Sequence, residues 1–387
     1  MNSSELAETG HKTASTPHQI RVLHTLGWVS SGGVEQRRLV LARGLPSHKY
    51  EHVVICQDSE GVLPDQLRAE GWTVHEIGFA PSILDKAWHD KALKIARDFG
   101  PDIVHGAVYE GEALAASIGL RLPGVKVITE ETSNPANRRW TSNLLMYAIC
   151  MSANICIGVS PAVVSYLRHK LHLPKRKVRL VNNAVSEVPR PTSDMLTALR
   201  NEFGIKDGDF IIGSVGRLND DHKRFSDLIR AMPAVLAQHP QARLMIVGDG
   251  PDRSILEKLC LTLGVGNSVI FTGYRSDVRT FYSLMDIFAL ASANEAFGLV
   301  LVEAMLAEVP IMATKVGGIP FVLDSGLCGA LVPPLAPLAL SRTLSDLIAS
   351  PSLRADYARL GLARARAEFT AERYCSEIDE LYTSLIR

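Results

Sequence analysis

The sequence has no excess of charge of either sign, because its 41 lysine and arginine residues are balanced by 41 aspartate and glutamate residues. A neutral chain lacks the cationic excess with which proteins bind nucleic acid, so that class of partner is disfavoured. The six cysteines include no CxxC pair, which argues against a disulfide framework or a zinc site. No apolar run reaches the roughly 18 residues that a transmembrane helix needs. These absences predict a cytoplasmic protein with reduced thiols.

Several catalytic motifs are also missing. The chain has no complete GxGxxG fingerprint and no GxxxxGK[ST] phosphate loop, which disfavours a simple nicotinamide enzyme or a nucleoside triphosphatase. It has no HExxH motif, no nucleophile elbow and no cluster of cysteine and histidine. Asp207 and Asp209 have the D-x-D spacing of a metal and nucleotide-sugar site. They precede a predicted strand rather than follow one, so we interpret them as an ordinary turn.

What the chain does have is enough apolar material for a packed core, since 47% of its 387 residues are hydrophobic. At roughly 150 residues per domain, the length predicts two or three domains. Runs of strand length alternate with helical segments over residues 20–160 and again over residues 210–334. This alternation predicts an α/β fold with two doubly wound parallel sheets. We place the domain boundary within the proline-containing stretch 183–194 and expect residues 1–17 to form a loose, flexible tail.

Glycine-rich and basic turns follow several predicted strands, at the sheet edge where doubly wound proteins bind ligands. Gly32 and Gly33 separate the first strand from the first helix, so the backbone there can approach a phosphate. Arg217 and Lys223 follow a strand of the second half, and two cations at this edge suit a diphosphate leaving group. Each feature alone also fits an ordinary surface turn.

The stretch ASANEAFGLVLVEAM, which begins at residue 291, carries two glutamates in an otherwise apolar run. We predict a strand end, then a turn with Glu295, then a helix that carries Glu303. The N–H groups of Phe297, Gly298 and Leu299 would be free at the helix start and would favour phosphate. Carboxylates beside them would accept hydrogen bonds from sugar or ribose hydroxyls. The alternative is that Glu295 caps the helix and Glu303 lies on its surface.

Together these features resemble the retaining glycosyltransferases of family 4, which have the GT-B fold. The resemblance runs from about residue 20 to the C-terminus. It rests on three signatures in this order: Gly32–Gly33, Arg217 with Lys223, and Glu295 with Glu303. It implies two Rossmann-like domains that face each other across a cleft, residues 18–188 on the acceptor side and residues 189–369 binding the donor. The last helix, within residues 370–387, would cross back to the first domain.

The resemblance also implies a role for each signature residue. Arg217 and Lys223 would neutralise the departing diphosphate, Glu295 would hold hydroxyls of the transferred sugar, and Glu303 would bind the ribose. The glycine pair and the amides after Glu295 would contact the donor phosphates. A hexose would pass with retention from a UDP- or GDP-sugar to a glycan or lipid-linked acceptor, in cell-surface polysaccharide or glycolipid synthesis. No metal or cofactor is expected, since the two cations and the helix dipole would supply the positive charge.

The acceptor side departs from the family pattern. Relatives often carry a histidine after the strand that KVITE matches, whereas this chain continues as TEETSNP, so Glu131 or Thr132 takes its place. We predict that Glu131 orients a hydroxyl of the acceptor or of the sugar. His105, at the end of the supporting run PDIVH, is a second candidate for the acceptor side.

Two stretches have a composition that is compatible with a peripheral contact with the anionic inner face of a membrane. Residues 168–179 contain six cations and no acid, and residues 137–150 combine Arg138, Arg139 and Trp140 with an apolar segment. We favour a solvated helix end and loop for the first stretch and a buried helix for the second, with the membrane contact as the alternative.

Two other functions stay open at this point. A nucleotide-sugar epimerase on the same architecture would need an acid and base pair in the cleft, which the sequence does not locate. A non-catalytic nucleotide-sugar-binding protein would have no need for the complete set of two cations and two glutamates. Release of free nucleotide together with sugar transfer would separate a transferase from both.

Overall fold

Two parallel sheets organise the chain in the computed structural model, which describes residues 19–30, 32–134, 138–187 and 189–387. The predicted tail of residues 1–17 lies outside the described residues, as does residue 188 at the predicted domain boundary. Within the described ranges, no helix is both long and apolar enough to cross a bilayer.

The first sheet has seven strands in the order β5-β3-β1-β6-β7-β8-β9, and all of its pairs are parallel. The strands of this half, including the separate parallel pair β2-β4, are β1 Ile20–Thr25, β2 Trp28–Val29, β3 Tyr50–Cys56, β4 Asp58–Ser59, β5 Thr73–Glu76, β6 Ile103–Ala107, β7 Lys126–Glu131, β8 Ile155–Gly158 and β9 Val178–Leu180. The helices are α1 Gly33–Gly44, α2 Leu63–Ala69, α3 Lys86–Phe99, α4 Val108–Arg121, α5 Trp140–Ser152 and α6 Pro161–Ser165.

The second sheet has six parallel strands in the order β12-β11-β10-β13-β14-β15. The strands are β10 Phe210–Val215, β11 Ala242–Val247, β12 Val269–Gly273, β13 Ile287–Leu290, β14 Ile311–Thr314 and β15 Ala330–Val332. The helices are α7 Ser193–Glu202, α8 Asp220–Lys223, α9 Phe225–Gln238, α10 Arg253–Thr262, α11 Val278–Tyr282, α12 Leu299–Leu306, α13 Ile319–Val322, α14 Pro337–Ala349, α15 Pro351–Glu368 and α16 Ala371–Ile386. Two Rossmann-like domains result, as the sequence predicts.

Each sheet grows first to one side and then to the other, so it has one point where the strand order reverses. The reversal lies between β1 and β6 in the first sheet and between β10 and β13 in the second. Loops that follow neighbouring strands diverge at such a point and leave a crevice, which is where doubly wound sheets bind ligands. The loops after these four strands are therefore the natural place for a site.

The last helix, α16, crosses back to the first domain, which confirms the predicted course of the chain. Tyr374, Ile378 and Tyr382 are buried in the core formed by one face of the first sheet and by α1. The Tyr382 hydroxyl lies 2.7 Å from Nδ1 of His105 on β6. Lys49 Nζ lies 2.6 Å from a carboxylate oxygen of Asp379 at the edge of this interface.

A cluster of buried charges holds α1 against β7. The side chains of Arg37 and Arg38 are almost completely buried, and both donate to the carboxylate of Glu130, with Arg38 Nη2 at 2.9 Å. Arg37 also donates to the side-chain carbonyl of Asn183, in the segment that leaves the first domain. Burial alone would raise the pKa of Glu130, but the two guanidinium groups hold it well below its ordinary value. The carboxylate is therefore ionised and bridges two cations inside the protein.

We expect Glu130→Gln to destabilise the first domain strongly, because it leaves buried guanidinium charge without a counter-ion. Breaking a buried ion pair on one side typically lowers the free energy of unfolding by about 3–5 kcal/mol. Urea denaturation followed by circular dichroism measures the change. The matched control is Glu70→Gln, since Glu70 pairs with Arg43 at 2.9 Å on the surface, where such a pair contributes about 0–1 kcal/mol. Equal effects of the two substitutions would contradict this account of the cluster.

Candidate active site

Lys223 and Glu295 meet where the strand order of the second sheet reverses. Lys223 ends the short helix α8, which follows β10, and Glu295 lies in the turn after β13. The ammonium nitrogen of Lys223 is 2.6 Å from Oε2 of Glu295, and both side chains are partly buried. A backbone hydrogen bond of 2.8 Å from Ala293 N to His222 O joins the same two loops. The structure thus brings two of the predicted catalytic residues into direct contact.

The connection after β10 carries the other predicted cation, Arg217, and a strained residue next to Lys223. Arg217 is exposed directly after this strand, in front of α8. Arg224, which follows Lys223, has φ 55° and ψ 40°, a left-handed conformation that is unusual for a residue with a Cβ. The Asp227 carboxylate accepts hydrogen bonds from the Arg224 guanidinium at 3.1 and 3.0 Å and stabilises the turn. Such strain is common where a chain presents functional side chains.

The N-terminus of α12 faces the same crevice. Gly298 immediately precedes the helix with φ 92°, a backbone conformation that favours glycine. The helix then starts at Leu299, as predicted, so the N–H groups of Phe297, Gly298 and Leu299 lie at its positive end. The side chain of Phe297 is buried edge-to-face against Phe369, with ring centroids 5.4 Å apart. Packing of this ring fixes the backbone whose amides a phosphate would contact.

Glu303 lies one turn further along α12 and lines a cavity of about 300 Å³. The hydroxyl of the buried Tyr282 donates to its Oε2 at 2.8 Å. Burial raises the pKa of Glu303, while Arg279 and the hydrogen bond from Tyr282 oppose the rise. Arg279 Nη1 donates to the carbonyl of Ser186, in the segment between the two domains. Glu303 is therefore a cavity residue rather than a solvated surface residue.

The first domain approaches α12 closely through its glycine turn. Gly32 is the N-cap residue of α1 and Gly33 is the first residue of that helix. A Cβ on Gly33 would come within 2.6 Å of Leu299 Cδ1, so this position leaves no room for a side chain while Leu299 keeps its position. Nearby, the side-chain amide of Asn294 donates to the carbonyl of Asn134 at 2.7 Å. The predicted glycine pair and the start of α12 thus face each other across the cleft.

Glu131 ends β7 on the acceptor side, but its carboxylate already has protein partners. Oε1 accepts from Ser133 N at 3.1 Å and from Ser133 Oγ at 2.6 Å, and Oε2 accepts from Arg138 Nη1 at 2.9 Å. Glu112 lies nearby and is buried. Its burial, and to a lesser extent the charge of Glu131, raise the pKa of Glu112 well above the ordinary value. A direct contact between Glu131 and an acceptor would therefore require it to give up one of these bonds.

The expectation that His105 contacts the acceptor is wrong for this structure. The side chain of His105 is completely buried, with Nδ1 against the hydroxyl of Tyr382 and Nε2 3.4 Å from Glu130. Burial and the nearby Arg38 lower its pKa to about 4, so the imidazole is neutral at physiological pH. His105 belongs to the interface between the first sheet and α16.

Sequence reasoning missed the residues that support the site from within the protein. Arg37 and Arg38 belong to the helix that follows the glycine turn, and Tyr282 and Arg279 contact the Glu303 cavity. No local pattern marks them, because charged and hydroxyl-bearing side chains on helices are ordinarily exposed. The sequence feature that could have indicated the buried arginines is Glu130, an acid inside an apolar strand.

Two family profiles match the chain, one to each domain. Residues 31–187 match the profile described as Glycosyltransferase Family 4. Residues 197–362 match the profile described as Glycosyl transferases group 1. Together the two matched ranges cover most of the chain.

Similar proteins extend over both domains. The N-acetyl-alpha-D-glucosaminyl L-malate synthase of Bacillus anthracis is 26% identical over 313 residues, which is 78% of this chain and 80% of that protein. The alpha-monoglucosyldiacylglycerol synthase of Streptococcus pneumoniae is 26% identical over 357 residues, 83% of this chain and 76% of that protein. Among solved structures, Anabaena Alr3699/HepE in complex with UDP-glucose superposes with a TM-score of 0.84 at 21% identity, over 95% of this chain and all of that one.

Proposed function

The chain belongs to the family 4 glycosyltransferases with the GT-B fold, and from that premise we propose that it transfers a hexose from UDP or GDP with retention and without a metal. The acceptor in this proposal is a glycan or a lipid-linked glycan of the cell surface. The contact between Lys223 and Glu295 at the reversal point of the second sheet carries the proposal. It brings a cation for the leaving group and a carboxylate for the sugar to one place.

The donor diphosphate fits between Lys223, Arg217 and the start of α12. Negative charge grows on the β-phosphate as the bond from the anomeric carbon to the phosphate oxygen breaks. Two cations and a positive helix end next to this oxygen stabilise that charge more in the transition state than in the ground state. The acceptor hydroxyl attacks the same face of the sugar, its proton passes to the departing phosphate oxygen, and the new glycosidic bond keeps the anomeric configuration.

The Glu303 cavity suits the nucleoside part of the donor. In the proposal, the ribose hydroxyls donate to the Glu303 carboxylate, beside or instead of the Tyr282 hydroxyl that donates to it at 2.8 Å. A volume of about 300 Å³ has the size of a small-molecule pocket. The solved structure of Anabaena Alr3699/HepE, which has the same fold, is a complex with UDP-glucose. This supports a nucleotide-sugar as the donor.

An exposed apolar ridge on α5 supports contact with a membrane. Trp140 is 76% exposed and Leu144 is 61% exposed, and Tyr147 and Met151 continue the same helix face. The surrounding chain is basic, because the sequence between Glu131 and Glu187 has eight lysine and arginine residues and no acid. Apolar side chains ringed by cations match the interface of an anionic bilayer. One relative is named for the synthesis of a glucosylated diacylglycerol, which is consistent with a lipid-linked acceptor.

We expect Lys223→Ala and Glu303→Ala each to reduce sugar transfer by about 10²–10³-fold, because each loses a charged contact to the donor. The measurement is nucleotide release from a panel of UDP- and GDP-sugars, with the unfolding temperature as a check on the fold. Lys258→Ala, at an exposed position on α10, is the matched control and should retain wild-type rates. Wild-type turnover by both site variants would refute the residue roles, and a protein that neither binds nor hydrolyses any donor would refute the function.

Retention and metal independence have separate readouts on the same reaction. Proton NMR of the product gives its anomeric configuration, which should equal that of the donor. Activity should persist in EDTA. An inverted product would contradict the proposed same-face attack, and loss of activity in EDTA would contradict neutralisation by the protein alone.

The membrane contact predicts that the purified protein floats with vesicles of phosphatidylcholine and phosphatidylglycerol in a density gradient. Trp140→Ala should reduce the floating fraction, and salt should reduce it further because the basic ring is screened. Leu261→Ala removes an equally exposed apolar side chain from the second domain and should have no effect. Wild-type protein that remains at the bottom with these vesicles would exclude the contact.

A further inference from the structure

Trp28 and Phe79 form an exposed aromatic pair on the first domain. Their ring centroids are 5.3 Å apart at an interplanar angle of 62°. Trp28 is 39% exposed and Phe79 is 60% exposed, whereas Trp72 and Trp88 of the same domain are buried. Two large aromatic rings that contact each other in solvent form a surface with a specific shape rather than scattered apolar area.

The pair sits at the ligand-binding edge of the sheet. Trp28 follows β1 and Phe79 follows β5, so both lie beyond the carboxyl ends of parallel strands that flank β3. Backbone hydrogen bonds tie the three loops together, from Gln57 N to Gly27 O at 2.9 Å and from Gly78 N to Gln57 O at 2.9 Å. The aromatic surface is therefore held by a rigid backbone before any ligand arrives.

The charged groups near the two rings are mostly acidic, although Lys91 Nζ donates at 3.1 Å to the carbonyl of Ile77, two residues before Phe79. Asp58 lies on β4, which pairs with the strand that contains Trp28, and Glu60 and Glu76 are exposed on the adjoining loop and strand. The loop sequences QDSEG and EIGFAP contain no lysine or arginine. The nearest cation of α2, Arg68, is paired with Asp65 at 2.9 Å and lies 4.0 Å from Glu76. Acids outnumber cations at this surface, which distinguishes it from the basic ridge on α5.

The surface is within reach of the reacting groups. Trp28 is five residues before Gly33, and five residues of extended chain span at most about 18 Å. Gly33 packs against Leu299 at the start of α12. An acceptor of a few sugar units could therefore extend from the aromatic pair to the glycine turn.

We propose that Trp28 and Phe79 bind a neutral pyranose ring of the acceptor, so that the acceptor is an oligosaccharide chain rather than a bare lipid or a small polyol. The negative face of an aromatic ring attracts the C–H bonds on the flat side of a pyranose. The hydroxyls at the edge of that sugar donate to Asp58, Glu60 and Glu76, which accept but cannot donate when ionised. The inference rests on the proposed transferase function and names the substrate class of its acceptor side.

The test is binding of the full-length protein to a microarray of neutral oligosaccharides of glucose, galactose, mannose and N-acetylglucosamine, with calorimetric titration of whichever is retained. We expect wild-type protein to retain at least one of them, and Trp28→Ala and Phe79→Ala each to weaken that binding about tenfold or more, as loss of an aromatic contact does. Leu120→Ala is the matched control, since it removes a 76% exposed apolar side chain near the end of α4 in the same domain, and it should bind as wild type.

Three results would overturn the inference: no neutral oligosaccharide is retained, the two variants bind as tightly as wild type, or the variants lose binding to lipid vesicles instead. Thermal shift with UDP and GDP on the same proteins keeps the donor side separate. Both variants should show the wild-type shift, because neither residue belongs to the donor site. If neither nucleotide shifts the wild-type protein, the proposed function fails at its donor, while the microarray still decides the role of the aromatic pair.

Discussion

The ionised carboxylate of Glu130 is the interaction on which the first domain depends. It lies inside the protein between Arg37 and Arg38 and thereby joins β7 to α1. The glycine turn that faces the start of α12 begins α1, and Glu131 is the last residue of β7. Because a buried charge without its partner is costly, these elements hold one relative position. Arg37 extends the network to Asn183, in the segment that leads to the second domain.

In the second domain, Lys223 and Arg217 lie on the same connection after β10, and Lys223 is partly buried beside Glu295. Hydrogen bonds and a strained residue fix this connection, which would keep the reorganisation small on binding of the proposed diphosphate. The first domain has two surfaces of different charge. The ridge on α5 is apolar and basic, whereas acids outnumber cations around the aromatic pair of Trp28 and Phe79.

Much of this arrangement can be predicted from the sequence, because it is local. The alternation of strands and helices, the helix start at Leu299 and the position of Glu295 before it depend on residues close together in the chain. The supporting contacts could not be predicted. Arg37 and Glu130 are 93 residues apart, and only the fold shows that an arginine on a helix is buried against an acid in a strand. His105 was misjudged for the same reason, since its partner Tyr382 is 277 residues away.

We propose that the N-terminal end of α12 and the two cations before it hold the diphosphate of the donor, while Glu303 holds its ribose. A crystal structure determined from crystals of the protein soaked with UDP or GDP tests this proposal most directly. The account predicts the β-phosphate within hydrogen-bonding distance of Lys223 and of the amides of residues 297–299, with the ribose hydroxyls on Glu303. A nucleotide bound elsewhere, or with its ribose away from Glu303, would contradict it.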